Sequence, residues 1–115
     1  DNAKRIRARK FVDENGKKHY EIYGPLFFGS TTAFLEKFDI EDDPHDVVID
    51  FKESRVVDMS AIDALQKITE RYARINKRVV LRHLSTDCRS LLDNAKGVVE
   101  VNMEEDPTYR VMPKG

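Results

Sequence analysis

The sequence predicts an α/β domain built on a small, mixed, mostly parallel β-sheet opened by a β-hairpin. Three observations carry that expectation. Short apolar runs of strand length alternate with segments whose apolar residues recur at helical spacing. Near the start, Asn15-Gly16 separates two alternating segments, and that dipeptide is a strong short-range hairpin signal. Further on, Val47-Val48-Ile49-Asp50-Phe51 is almost continuously apolar, as a strand deep in a sheet is.

Taken in order, Ile6 to Val12 alternates, with Ile6, Ala8 and Val12 on one face and Arg7, Arg9 and Phe11 on the other. Asp13-Glu14-Asn15-Gly16 turns the chain into a second strand, His19 to Tyr23, closed by Gly24-Pro25. The apolar run Leu26-Phe27-Phe28-Gly29 leads into Ser30-Thr31-Thr32, residues suited to cap a helix. Phe34, Leu35 and Phe38 then predict a helix from about Thr31 to Phe38. Asp39 to Asp46 is acidic, contains Pro44, and reads as a loop. After the Val47–Phe51 strand comes a turn region, with Val56-Val57 a short extended piece.

Ser60-Ala61-Ile62-Asp63 has the form of a capping box, with Asp in the place usually held by Glu or Gln. Ala61, Ala64, Leu65, Ile68, Tyr72 and Ile75 trace one helical stripe, ending near Asn76. Val79-Val80-Leu81 is the next strand. Ser85 or Thr86 caps a further helix carrying Cys88, Leu91, Leu92 and Ala95, and Gly97 stops it. Val98 to Val101 is a last short strand, and the tail after Glu104 takes no assignment. The alternation of strands and helices calls for crossover connections and parallel pairing.

Composition narrows the function classes. The 115 residues fit one domain, with about 5–112 structured, large enough to bury a core without disulfides or metal. Twenty Lys and Arg against twenty-one Asp and Glu leave no overall positive field for nucleic acid. Cys88 is the lone cysteine, so no intrachain disulfide forms, which suits a reducing compartment. No run of eighteen apolar residues predicts a membrane span, and the polar start lacks the apolar core of a signal peptide. The start at Asp1 and the end at Met112-Pro113-Lys114-Gly115 read as a piece cut from a longer protein, or as an expression scar in place of the Met.

Few residues are candidates for chemistry. Ser60, at the expected helix start, is either an ordinary cap or a place where a phosphate would meet the helix dipole and exposed N–H groups. Asp50 and Asp58 flank the turn before that helix, where parallel sheets bind ligands, or else they cap turns. A hydrolase elbow of the form G-x-S-x-G is missing around Ser60, since Asp58-Met59-Ser60-Ala61-Ile62 has neither glycine. His19, His45 and His83 lack metal-ligand spacing, and no Cys pair accompanies them, so no metal site is expected. Cys88 sits on an apolar stripe and reads as core. Gly24 and Gly29 bracket an apolar tetrad without the lysine of a phosphate loop, so a buried corner with its Phe pair in the core is expected and no cofactor is implied. The run Lys4-Arg5-x-Arg7-x-Arg9-Lys10 is either a charged edge strand or a basic stretch beside a membrane.

Gly24-Pro25-Leu26-Phe27-Phe28-Gly29, followed by Val48-Ile49-Asp50 and then Val57-Asp58-Met59-Ser60-Ala61-Ile62-Asp63-Ala64-Leu65, resembles the STAS domain of SulP-type anion transporters. The resemblance covers about residues 5 to 112. It implies the STAS-type fold, with helices packed mainly on one side of the sheet, and a regulatory domain without enzymatic activity. In the related anti-sigma-factor antagonists, the sequence before the second helix resembles Asp-Ser-Ser-Gly-Leu, and a partner kinase phosphorylates the second Ser. Here the matching positions are Asp58, Met59, Ser60, Ala61 and Ile62, so Ser60 is kept while the first Ser and the Gly are replaced. The Leu-Phe-Phe-Gly segment is typical of the transporter branch.

The resemblance therefore implies a cytoplasmic domain of an integral membrane protein that carries sulfate or a related anion. It would dock to the membrane domain, to a second copy of itself or to another cytoplasmic protein. Asp58, Met59, Ser60 and Asp63 are the expected docking or phosphorylation residues. The alternative is a free-standing antagonist switched by phosphorylation at Ser60.

Overall fold

The structure, a computed structural model, describes residues 5–85 together with Cys88, Leu92, Val98 and Val99. Strands β1 (Arg7–Val12), β2 (Lys18–Leu26), β3 (Asp46–Val56), β4 (Arg78–Arg82) and β5 (Val98–Val99) form one sheet, with α1 (Thr31–Leu35) between β2 and β3 and α2 (Met59–Arg74) between β3 and β4. The strands lie side by side in sequence order. The β1–β2 pair is antiparallel and the other three pairs are parallel. The mixed sheet opened by a hairpin is thus as expected. The expected helix over Cys88–Ala95, the end of the last strand and the tail lie outside the described residues, apart from Cys88 and Leu92, which are buried.

The hairpin turn closes through Asp13, whose Oδ1 accepts the N–H groups of Asn15 and Lys17 at 2.8 and 3.0 Å. β2 does not stop at Gly24-Pro25, as the turn-forming pair suggested, but runs to Leu26. β1 pairs with it only as far as Tyr23. Pro25, which has no N–H to give, therefore stands beyond the β1 ladder and faces a partner only on the β3 side.

β3 is likewise longer than its apolar run: the expected turn is strand through Val56. Its register explains the pattern. Glu21 faces Asp50 and Tyr23 faces Glu53, so β3 has two residues, Phe51 and Lys52, where β2 has one, Ile22. Before this bulge Val47, Ile49 and Phe51 are buried; after it the buried positions are Ser54 and Val56. The parity change hid the second half of the strand from a period-two reading.

The core lies on one face of the sheet. Tyr20, Ile22, Ile49, Phe51 and Leu81 from the strands meet Phe34 of α1 and Leu65, Ile68 and Tyr72 of α2. Both helices thus cover the same face. α1 is shorter than predicted, ending at Leu35, and Phe38 reaches the core from the turn behind it, edge-on to Phe34 at 5.0 Å. α2 ends where expected, with Asn76 in the left-handed conformation (φ 60°) that commonly terminates helices.

The loop between α1 and β3 holds the main buried polar group. Asp43 is only 5% exposed. Its Oδ2 accepts from the hydroxyls of Tyr20 and Tyr72 at 2.5 and 2.6 Å, and its Oδ1 from Lys18 Nζ at 2.7 Å. Lys77 Nζ donates to the backbone carbonyls of Ile40, Glu41 and Asp43. The network ties β2, the loop and α2 together.

Burial, and then the bond to Asp43, raise the pKa of both phenols above the ordinary tyrosine value. A phenol that holds its proton more tightly in the folded state contributes stability that is present below the unfolded pKa and is lost as pH rises above it. Absorbance titration should therefore show no tyrosinate from Tyr20 or Tyr72 until the domain unfolds in alkali. Ionisation of either in the folded domain would contradict this placement.

Candidate functional site

The C-terminal ends of β2 and β3 bring two segments together: Phe27-Phe28-Gly29-Ser30 and Val57-Asp58-Met59-Ser60. The N–H of Val57 donates to the carbonyl of Leu26 at 2.9 Å, so the two strand ends leave the sheet bonded to each other. Beyond them α2 begins at Met59, one residue before Ser60. The cap is Asp58, not Ser60. Asp58 has an extended backbone (φ −144°, ψ 179°), and its Oδ1 accepts the N–H of Ala61 at 3.1 Å. Ser60 is already inside the first turn, and the predicted Ser60–Asp63 capping box is not formed. Asp58 and Ser60 are rival caps two residues apart, and here the helix starts at the earlier one, whose carboxylate accepts the N–H of Ala61.

The second oxygen of Asp58 reaches across to the other segment. Asp58 Oδ2 accepts the N–H of Phe28 at 3.2 Å. One carboxylate thus joins the start of α2 to the aromatic loop. Met59 packs partly against the core, Ser60 is half-buried and Asp63 is exposed one turn further along. Of the four residues expected at a docking site, all lie on this end of α2, and Asp58 is also the group that builds it.

Asp50 does not join them. It stands in mid-strand on the face away from the helices, where its Oδ1 lies 2.8 Å from His83 Nδ1 and its side chain also accepts from Lys52 N–H at the bulge. His19 pairs with Asp13 at 2.7 Å and stacks on Phe11 at 4.7 Å. Among the described residues, no group of His, Cys, Asp and Glu has the arrangement of a metal site.

The aromatic loop corrects another expectation. The Phe pair is not core. Phe27 is half-buried and Phe28 is 73% exposed. The cause is local. The chain makes a 3-10 turn over Phe28–Ser30, stabilised when Ser30 N–H donates to the Phe27 carbonyl at 2.9 Å. The buried Ser30 hydroxyl accepts from Phe27 N–H at 3.1 Å and donates to the Pro25 carbonyl at 2.9 Å. Ser30 therefore braces the turn instead of capping α1. Phe27 folds down over Gly29, where a Cβ would come within 2.6 Å of its ring. Phe28 is left outward, edge-on to Phe27 at 5.6 Å. No periodicity could foretell this, because the run is too short for either template.

From Arg7 to Lys10 the basic run lies in an edge strand, as one of its two readings held, while Lys4 lies outside the described residues. β1 is the outermost strand, and Arg5, Arg7, Arg9 and Lys10 are exposed. Arg9 pairs with Glu21 at 2.8 Å and Lys10 with Asp39 at 3.0 Å.

Residues 10–108 match the family model described as the STAS domain. Over 88 residues the chain is 27% identical to a Bacillus subtilis (strain 168) protein described as "Putative sulfate transporter YbaR". That alignment takes in 76% of this chain but 18% of the relative, so the chain spans less than a fifth of its length. Among solved structures, the fold matches the STAS domain of an antisigma-factor antagonist from Rhodobacter sphaeroides. The TM-score is 0.63 at 26% identity, covering 70% of this chain and 88% of that one. The matched domain type is regulatory and binding rather than catalytic.

Proposed function

Because the chain belongs to the STAS domain family, we propose that it is the regulatory, protein-interacting part of a SulP-type anion transporter, held on the cytoplasmic side of the membrane. In this reading residues 1–115 are a single domain, about 5–112 of it structured, and a neighbouring membrane domain carries the anion. The observation that supports it most is the alignment with a domain-sized share of a protein named as a sulfate transporter. No helix among the described residues is long and apolar enough to cross a membrane, so the transport path belongs to another part of such a protein. The domain acts by docking. The start of α2 presents Met59 and Ser60 in its first turn and Asp63 just after it, and Asp58 holds that first turn against the Phe27–Ser30 loop.

A second reading is favoured by the structural match: a free-standing antagonist in which phosphorylation of Ser60 releases a partner. A phosphate on Ser60 would enter a turn already occupied by the Asp58 carboxylate, and the two negative charges would repel.

Fractionation of source cells with an antibody against this domain separates the two. The expected result is a band several times the size of the domain that pellets with membranes. A non-pelleting band of the domain's own mass would overturn the transporter reading and make Ser60 the residue to follow.

A further inference from the structure

The Asp58 carboxylate joins two segments whose bonded residues lie 30 positions apart in sequence. Its Oδ1 accepts the N–H of Ala61 in α2 at 3.1 Å, and its Oδ2 accepts the N–H of Phe28 in the aromatic loop at 3.2 Å. The two bonds differ in setting. The bond to Ala61 is half-buried and closes within one helical turn, in the positive field of the α2 N-terminus. The bond to Phe28 is exposed, where water replaces a lost partner at modest cost.

The aromatic loop has its own braces. Ser30 N–H donates to the Phe27 carbonyl at 2.9 Å, and the Ser30 hydroxyl bonds to both Phe27 N–H and the Pro25 carbonyl. Thr31 Oγ1 donates to the Phe28 carbonyl at 3.2 Å. The bond to Asp58 therefore governs how the loop is held against α2, not how the loop is folded. Ser60 stands two residues after Asp58, half-buried in the first turn of the helix. A negative group on its side chain meets the same field that holds the Asp58 carboxylate. Two anions there compete for the same donors and repel each other. The bond that yields is the exposed one.

We infer that Asp58 is a charge-sensitive tie: a negative charge on Ser60 breaks its bond to Phe28 and releases the Phe27–Ser30 loop from α2, with loop and helix each still folded. The inference rests on the second reading for the source of that charge, a phosphate. It adds to that reading what the charge does to the domain's own surface. Phe28, 73% exposed, stands on one side of the tie and Ser60 on the other. A partner that touches both segments meets them fixed together before the change and independent after it.

Amide hydrogen exchange of the 115-residue chain, followed residue by residue by NMR, tests the tie. Ser60→Glu supplies the charge without a kinase, and Ser60→Gln supplies the same bulk without the charge. Asp58→Ala sets the scale for complete loss of the bond. Protection of the Phe28 amide should fall by about tenfold in Ser60→Glu and in Asp58→Ala, the scale of one hydrogen bond to a charged group, and stay at the native value in Ser60→Gln. The Ser30 amide, bonded inside the loop, should keep its protection throughout. The Ala61 amide should keep its protection in Ser60→Glu. Native protection of Phe28 in Ser60→Glu would overturn the inference. So would equal effects of Glu and Gln, or a loss at Ser30 or Ala61 that accompanies the loss at Phe28 in Ser60→Glu. If Asp58→Ala unfolds the chain, the Ser60 pair decides by itself. A protein that pellets with membranes removes the antagonist reading and leaves this test as it stands, because neither Ser60 variant depends on a kinase.

Discussion

Asp43→Ala is expected to destabilise the domain by about 3–5 kcal/mol, the range for removing one partner from a buried charged network. Two phenol hydroxyls and the Lys18 ammonium lose the carboxylate they donate to at once, and that carboxylate is almost wholly buried, although Lys18 keeps Asp39 at 3.7 Å. Against a usual total of about 5–15 kcal/mol, that is a large share of the stability of a small domain. Urea denaturation of the domain reads it directly. Asp43→Asn should cost less, since an amide oxygen still accepts from both phenols, but it turns an NH2 group toward a carboxylate oxygen's place beside Lys18. A loss under about 0.5 kcal/mol for Asp43→Ala, the scale of ordinary surface changes, would show that the network contributes nothing net.

Gly24→Ala should be nearly as damaging, for a steric reason. The glycine has φ 93°, and a Cβ there would stand 2.5 Å from the Arg5 carbonyl oxygen and 3.0 Å from its carbon. Both obstacles are backbone, so the segment that leads into β1 must shift. The left-handed penalty of about 1–2 kcal/mol adds to an overpacking penalty of about 1–3 kcal/mol. Gly16→Ala is the internal control. It has φ 82° with no atom within 4 Å of the added methyl, so it should show the first penalty alone. Thermal denaturation compares the two variants. Equal losses would mean that the close approach of Arg5 to Gly24 is not what the site requires.

What could be read in the sequence was what repeats. The Asn15-Gly16 turn, the apolar stripe of α2 from Ala61 to Tyr72 and the strand-helix alternation as far as β4 each rest on several residues agreeing and stand in the structure, whereas Ile75, expected on the stripe, lies past the end of α2 and is exposed. What could not be read depends on single residues choosing between partners. Asp58 and Ser60 are both good caps, and only the geometry of the β3 exit decides for Asp58. The bulge after Asp50 shifts the parity of β3 by one, which breaks the alternation that would have announced its second half. Asp43 was one acid among several in a loop. The missed signal was Tyr72 on the apolar stripe: a buried phenol needs an acceptor, and the acidic loop was the nearest supply. At the candidate site, the motif containing Asp58, Met59, Ser60 and Asp63 was legible. The outward turn of Phe28 was not, because it follows from the Ser30 brace and the room over Gly29.

The strand order has a consequence for how the chain is made. Each strand lies next to its predecessor, so no later strand has to wedge between two earlier ones. As the polypeptide leaves the ribosome, the hairpin can close first and each following β-α unit can be laid down on a single advancing border. Neighbours in time become neighbours in space, which keeps the loops to be closed short and the search brief. Both borders carry unpaired hydrogen-bonding groups during synthesis, but the border made first also carries the exposed arginines of β1, which discourage pairing with another chain.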